Sequence, residues 1–489
     1  MKQFSTYLES TGEIGYVVEL RPGIVSVQGL PKVKLFELVI LEDNTQGQVI
    51  GMSRDRVDLI LFTNTPVKVG TKVARTNERL QIPVGVGVCG TTISPMGDRL
   101  DSIEPIVATE TRSIDTRPGG IMVRAPIDKT LETGVSVVDT VVPLARGQRE
   151  LVIGDRKSGK TSFLLQTVIS QARMGVICIY CAVGKRETDI KHLEENFSKN
   201  GIRDKTVIVA ATSTESSGLQ FLAPYSAITI AEYFRDQGQD SLVVFDDLTA
   251  HANIYREISL LLRRFPGRSA YPGDIFYTHA RLLERGGNFK VGTGSTSITC
   301  LPVVQSVIGD LAGYITTNVM SMTDGHIFFD MQLFDQGRRP AVNPFLSVTR
   351  VGLQAQTPLL RDLSRQLSSF LVYYERIKQY THFGSEVSQS VRDAIGLGER
   401  ISVFFQQLPN EIVPMAVNVY TLALLWTGLW SDQTGIKLKP ILRTIVDRYQ
   451  KDATFKKTID DMISSSATFQ DVTNKAKTSS DSMGVRYGK

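Results

Sequence analysis

Gly154-Asp155-Arg156-Lys157-Ser158-Gly159-Lys160-Thr161, preceded by the apolar run Leu151-Val152-Ile153, is the stretch on which the reading of this chain turns. It fits GxxxxGK[ST]: a strand, a glycine-bearing loop and the start of a helix near Thr161. The chemistry needs glycine because the loop must present consecutive backbone N–H groups to phosphate oxygens, an approach that side chains would block. The dipole of the following helix adds to the attraction. On this reading Lys160 reaches the β- and γ-phosphates and the Thr161 hydroxyl ligates Mg²⁺. From average residue frequencies the bare pattern arises by chance in roughly a few per cent of chains this long, so the strand–loop–helix setting carries part of the argument.

A site of this kind needs a carboxylate at the end of a neighbouring apolar strand, and Leu242-Val243-Val244-Phe245-Asp246-Asp247 supplies one about ninety residues further on. Asp246 is assigned to a Mg²⁺-bound water, and Asp247 to capping or pairing nearby. Two acids after a strand are more often turn or cap residues, so the assignment of Asp246 depends on the loop upstream.

Outward from this centre the pattern changes twice. Residues 81–357 alternate apolar strands, among them Val176–Val183 and Thr206–Val209, with longer helical stretches, as in a sheet covered on both faces. Residues 1–80 carry short Val- and Ile-rich runs, such as Gly15-Tyr16-Val17-Val18-Glu19-Leu20, between turn formers, which suggests a small β-barrel or sandwich. Residues 358–489 read as helical, with apolar residues at helical spacing over Leu359–Tyr380 and Ile436–Met462. From about Asn474 a short, polar and mobile tail is expected.

Composition limits the alternatives. The 489 residues are 42% hydrophobic and 21% charged, which suits a globular protein of several domains rather than a disordered one. A formal charge of +5 on so long a chain is weak support for nucleic-acid binding, and none is expected. The N-terminus has no basic region leading into an apolar one, so a cytoplasmic location is expected. The uncharged stretch Ile412–Ser431 contains Pro414, Asn418 and Gly428 and is read as a buried helix rather than a membrane span. Cys178 and Cys181, three apart in an apolar strand, point to opposite faces and are not expected to share a metal.

Beyond these local readings the chain resembles the α subunits of F-type ATP synthases, from Gly12 to about Asp452. The markers are Arg146-Gly147-Gln148-Arg149-Glu150-Leu151 ahead of the loop, Asp246-Asp247-Leu248, Pro266-Gly267-Arg268, Tyr271-Pro272-Gly273-Asp274, Arg281-Leu282-Leu283-Glu284-Arg285, Thr323-Asp324-Gly325, Arg339-Pro340-Ala341-Val342-Asn343 and Ser347-Val348-Thr349-Arg350-Val351-Gly352. The resemblance implies a multidomain chain: an N-terminal β-barrel, a central RecA-like α/β P-loop NTPase domain and a C-terminal α-helical domain. It also implies an alternating hexamer with catalytic β-type subunits around a γ-type shaft, peripheral on the inner face of the cell membrane. The cofactors implied are ATP or ADP with Mg²⁺.

Site residues follow from the same resemblance. Nucleotide contacts are expected from Gly154, Asp155, Arg156, Lys157, Ser158, Gly159, Lys160, Thr161 and Ser162, with Arg339 and Pro340 near the adenine, and the metal at Thr161 and Asp246. Arg350 matches the arginine that α subunits project into the neighbouring β-type site. Catalytic partners carry a glutamate after the glycine that ends the strand Val176–Val183, and typical α subunits a glutamine; here Lys185 follows Gly184. An ammonium does not accept a proton from water near neutral pH, so this site is expected to be hydrolytically silent. Glu187, two residues on, is not at the catalytic position.

The departures bear on biology. Lys157-Ser158 stand where Gln-Thr is common, Thr349 replaces a usual serine, and Gln406–Glu411 reads as longer than the family's adenine-side segment. The family's N-terminal extension, which docks the peripheral stalk, is largely missing ahead of Gly12, which leaves stalk attachment open and admits a divergent F1-like motor not coupled to ion transport. A self-sufficient RecA-like ATPase, Rho-like or of the secretion type, is the competing reading; it requires a glutamate at position 185 and, for RNA, basic or aromatic readers in the N-terminal module.

Overall fold

A computed structural model of the chain describes residues 3–307, 309–381, 388–433 and 435–480. The Val- and Ile-rich runs near the N-terminus form a closed barrel, in the order Ile14–Arg21, Ile24–Gln28, Val57–Leu61, Gln46–Met52, Glu37–Leu41, Lys72–Arg79. Val17, Val27, Val39 and Leu59 fill its interior, and closure removes the free edges that short strands would otherwise expose. The helix Phe4–Thr11 lies beside it, with Tyr7 packed on Ile40 and Ala74.

The central domain is built on a sheet ordered Val348–Thr349, Gly325–Phe329, Glu150–Gly154, Gly294–Gln305, Ser241–Asp246, Ile177–Lys185, Thr206–Thr212, Thr92–Ile93. All neighbouring pairs from Gly325–Phe329 to Thr92–Ile93 are parallel. Strands buried on both faces must be apolar throughout, which is why these runs lack alternation. Ile153, Ile179 and Val243 belong to the core on one face, Val152, Tyr180 and Val244 to that on the other. Each such side chain contributes about 2 kcal/mol by leaving water. Cys181 lies in the first core and Cys178 in the second, so the two thiols are on opposite faces.

The helical segment begins at Pro358. Pro358–Thr381, Gln389–Phe404, Met415–Trp426, Gly435–Lys451, Ala453–Ser464 and Phe469–Ser479 pack around Leu363, Leu367, Leu424 and Trp430. Met415–Trp426 is buried along nearly its whole length, and among the described residues no helix is long and apolar enough to cross a membrane. The stretch Ile436–Met462 is two helices, because Asp452 stops the first and caps the second by accepting from Thr454 N and Phe455 N at 3.0 and 3.1 Å. The expected mobile tail is corrected over residues 474–480. Phe469–Ser479 is a helix with a capping box at Thr468 and Asp471, and it buries Val472 and Ala476 against the domain core. Residues 481–489 lie outside the described residues.

This topology divides the sheet into two functional rims. Gly154 pairs with Gln305, and Ala182 with Asp246, so the loop after Gly154, Gln305, Asp246 and Lys185 all stand at the C-terminal ends of parallel strands. That is the rim where open α/β sheets bind ligands. At the other rim Glu150 pairs with Gly325, and Gly325 with Thr349, which places Arg350 there.

Candidate nucleotide-binding site

The loop Gly154–Gly159 is held open by its own side chains. Ser158 Oγ donates to the Asp155 carbonyl at 2.8 Å, and Lys160 Nζ donates to the Gly154 and Asp155 carbonyls at 2.7 and 2.6 Å. Gly159, at φ 100°, turns the chain into the helix Lys160–Arg173 in a conformation that a β-carbon disfavours. No side chain caps that helix, so its first amides remain available. Burial pulls the Lys160 ammonium down to about 8, against the upward pull of Asp246 and Asp247. Thr161 is exposed at the helix start, and Ser162 is half-buried.

Not every loop residue faces the same way. The Asp155 carboxylate accepts from Ser306 Oγ at 2.6 Å and from Gly309 N at 3.0 Å, so its charge is spent on the neighbouring loop. Arg156 donates Nε to Gln305 Oε1 at 2.9 Å, and Lys157 is exposed at φ 64°. Gln305 in turn donates Nε2 to Asp247 Oδ2 at 2.6 Å, which ties the loop to the strand carrying the two acids.

Those acids have separate tasks. Asp247 caps the helix Leu248–Leu261 by accepting from Ala250 N at 2.6 Å, as expected of a residue of this type before a helix. Asp246 accepts from Tyr180 OH at one oxygen and from Lys185 Nζ at the other, both at 2.7 Å. Lys185 also approaches Asp247 Oδ2 at 3.8 Å. The Asp246–Asp247 peptide bond is cis. Mg²⁺ was expected between Thr161 and Asp246; Thr161 is open, but both oxygens of Asp246 already have donors and its charge is matched by an ammonium. The arrangement does not fit a divalent cation at Asp246, and position 185 presents an ammonium rather than a carboxylate.

Tyr180 and Gln305 were missed from the sequence. A tyrosine inside an apolar strand needs a partner for its hydroxyl, which is a usable signal. Its identity as Asp246 follows only from strand register.

The adenine-side expectation falls on a shallow groove lined by Val137, Pro340, Tyr374, Phe405 and Gln406. The Arg339 guanidinium lies over the Phe334 ring, its Cζ 3.3 Å from the centroid, and Nη1 donates to the Phe334 and Arg338 carbonyls at 2.6 and 2.7 Å. The segment 406–411 closes against the P-loop helix, where Gln166 Nε2 donates to the Leu408 and Glu411 carbonyls. Gln407 binds back to Ser136 N and the Gly134 carbonyl.

Arg350 is exposed, and among the described residues its guanidinium has no hydrogen bond or ion pair. Its backbone is firmly held: Arg350 N donates to the Asp324 carbonyl, and the Asp324 carboxylate takes Arg149 in a two-point pair at 2.9 and 3.1 Å. Thr349 Oγ1 donates to the Pro143 carbonyl and accepts from Gly352 N at 3.1 Å. A β-carbon at position 352 would stand 1.7 Å from the Pro143 oxygen, so only glycine fits that turn. The run Glu150–Gly154 separates Arg350 from the chain's own loop by about 13 Å along the strand.

Comparison with known proteins agrees with this geometry. Residues 134–349 match the ATP synthase alpha/beta family, nucleotide-binding domain. The chain is 40% identical over 408 residues, 83% of its length and 81% of the relative's, to an ATP synthase subunit alpha from Sulfurovum sp. (strain NBC37-1). It is 38% identical over 413 residues, 84% and 82% of the two lengths, to an ATP synthase subunit alpha from Clostridium acetobutylicum.

Proposed function

Because this chain belongs to the family of ATP synthase alpha subunits, we propose that it is the nucleotide-holding, non-hydrolysing alpha-type subunit of a rotary F1-type ATPase. It binds ATP or ADP with the phosphates cradled by Gly154–Ser162 and the base beside Arg339 and Pro340. It alternates with catalytic beta-type subunits around a gamma-type shaft, as a peripheral part of a membrane complex.

The observation that carries this reading is the Lys185–Asp246 pair at the rim beside the P-loop. A phosphate cradle with an ammonium where a water-activating carboxylate would stand can hold nucleotide and has nothing to deprotonate water. Arg350 supports the second half of the role. It stands at the opposite rim of the sheet from the chain's own loop, and its guanidinium is exposed, so the phosphoryl group it stabilises belongs to a neighbouring subunit. The competing self-sufficient ATPase finds no carboxylate at position 185.

Titration of the purified full-length chain with ATP tests the reading. One nucleotide is expected to bind per chain, without sustained release of phosphate. Multiple-turnover hydrolysis by the chain alone would overturn the non-hydrolysing assignment.

A further inference from the structure

We infer that the Lys185 ammonium takes the place of the divalent cation in this site, so that the chain holds its nucleotide as the metal-free anion. This rests on the nucleotide reading proposed above and deepens it.

A P-loop site normally needs a divalent cation because phosphates and the strand-end carboxylate are both anionic and the ion bridges them. Here a tethered cation already neutralises that carboxylate. Lys185 Nζ lies 2.7 Å from Asp246 Oδ1 and 3.8 Å from Asp247 Oδ2. The remaining oxygens are also engaged, Asp246 Oδ2 by Tyr180 OH and the Asp247 oxygens by Ala250 N and Gln305 Nε2. No oxygen of either acid lacks a protein donor.

The position of the ammonium is built in. Lys185 ends the strand Ile177–Lys185, whose register with Thr206–Thr212 shifts between Val183 and Lys185, an irregularity of the kind that re-aims a strand-end side chain. Its carbonyl is held by Ser213 N. Lys160 supplies a second ammonium, tied to the loop carbonyls, and Arg156 and Lys157 leave the loop itself cationic. Against two carboxylates and two ammonium groups, the added charge of a di- or triphosphate meets the loop cations directly. Among the described residues no group of three or more His, Cys, Asp or Glu is placed to hold a metal ion.

The experiment is calorimetric titration of the nucleotide-free full-length chain with ATP, in excess Mg²⁺ and in excess EDTA. The dissociation constants are expected to agree within about fivefold. A larger tightening by Mg²⁺ overturns the metal-free inference and leaves the nucleotide reading standing. No binding in either buffer overturns the nucleotide reading and this inference with it. Lys185→Gln is expected to weaken binding in EDTA by about tenfold or more, with Mg²⁺ restoring it, and Lys185→Arg to behave as the natural chain. A Lys185→Gln chain with the natural chain's indifference to Mg²⁺ would remove Lys185 from the role. Thermal unfolding identifies a variant that fails to fold, in which case the natural chain and Lys185→Arg decide.

Discussion

Lys185 Nζ and Asp246 Oδ1 lie 2.7 Å apart where two adjacent parallel strands end, with Tyr180 OH on the other carboxylate oxygen. Burial is the largest single influence on the Lys185 ammonium and draws its pKa down, but Asp246 and Asp247 together outweigh it and leave the pKa raised. The group stays cationic throughout the neutral range. The ammonium is thereby committed to balancing charge rather than to accepting a proton.

Removing the ammonium should expose the cost of that commitment. Lys185→Ala leaves Asp246 charged, buried and short of a donor, and is expected to destabilise the chain by about 2 kcal/mol, since one half of the pair is partly open to solvent. In thermal unfolding the double variant Lys185→Ala, Asp246→Asn should recover more than half of the loss. Strict additivity of the two changes would mean that the pair is not coupled.

Lys160 gives the site a pH dependence. Its ammonium is held near 8 chiefly by burial, and only the charged form attracts phosphate. Below pH 8 the free site is charged and affinity is flat. Above it, binding must recruit a proton, and the dissociation constant should rise by about tenfold per pH unit. A flat profile to pH 9.5 in nucleotide titrations would rule out this coupling.

Arg350→Ala separates a role in trans from a structural one. The guanidinium makes no hydrogen bond or ion pair among the described residues and acts on Glu150 and His326 only through its charge, so the melting temperature of the isolated chain should shift little. Hydrolysis by the complex reconstituted with its beta-type partner should fall by about 10³-fold or more. A near-normal rate would remove the finger role.

The domain core carries an acid-sensitive pair. His251 and His279 are fully buried, their rings bonded at 3.2 Å, and burial lowers the pKa of both, His251 to about 4. Because the folded value lies below the ordinary value of about 6.5, stability is complete above that pH and is lost as pH falls from 6.5 toward 4. The His251 shift corresponds to a loss on the order of 3 kcal/mol. Melting temperatures between pH 7.5 and 4.5 should follow this course, and the double variant His251→Gln, His279→Gln should lose most of the drop.

Much of this molecule is written in local pattern. The phosphate loop, the apolar runs Leu151–Ile153, Val176–Val183 and Leu242–Phe245 and the helix over Leu359–Tyr380 are legible because each depends on neighbours in sequence: glycine at a turn, unbroken apolar runs, a helical repeat. The short strand Thr92–Ile93 was not legible, since two residues carry no period and join the sheet through a strand more than a hundred positions away. The second half of the helix Phe469–Ser479, from about Asn474, reads as tail because polar residues dominate its composition; what orders the helix is the burial of Phe469, Val472 and Ala476 against helices elsewhere in the chain.

By itself, the sequence determined the chemistry on offer: a phosphate cradle, a strand-end acid, and a lysine where a base would be needed. Tertiary structure decided what those groups do to one another. Parallel pairing of Ala182 with Asp246 brings Lys185 and Tyr180 onto one carboxylate, and pairing of Gly325 with Thr349 sends Arg350 to the far rim. Both outcomes follow from register between distant strands. Side-chain charge is a property of a residue, but distance between charges is a property of the fold.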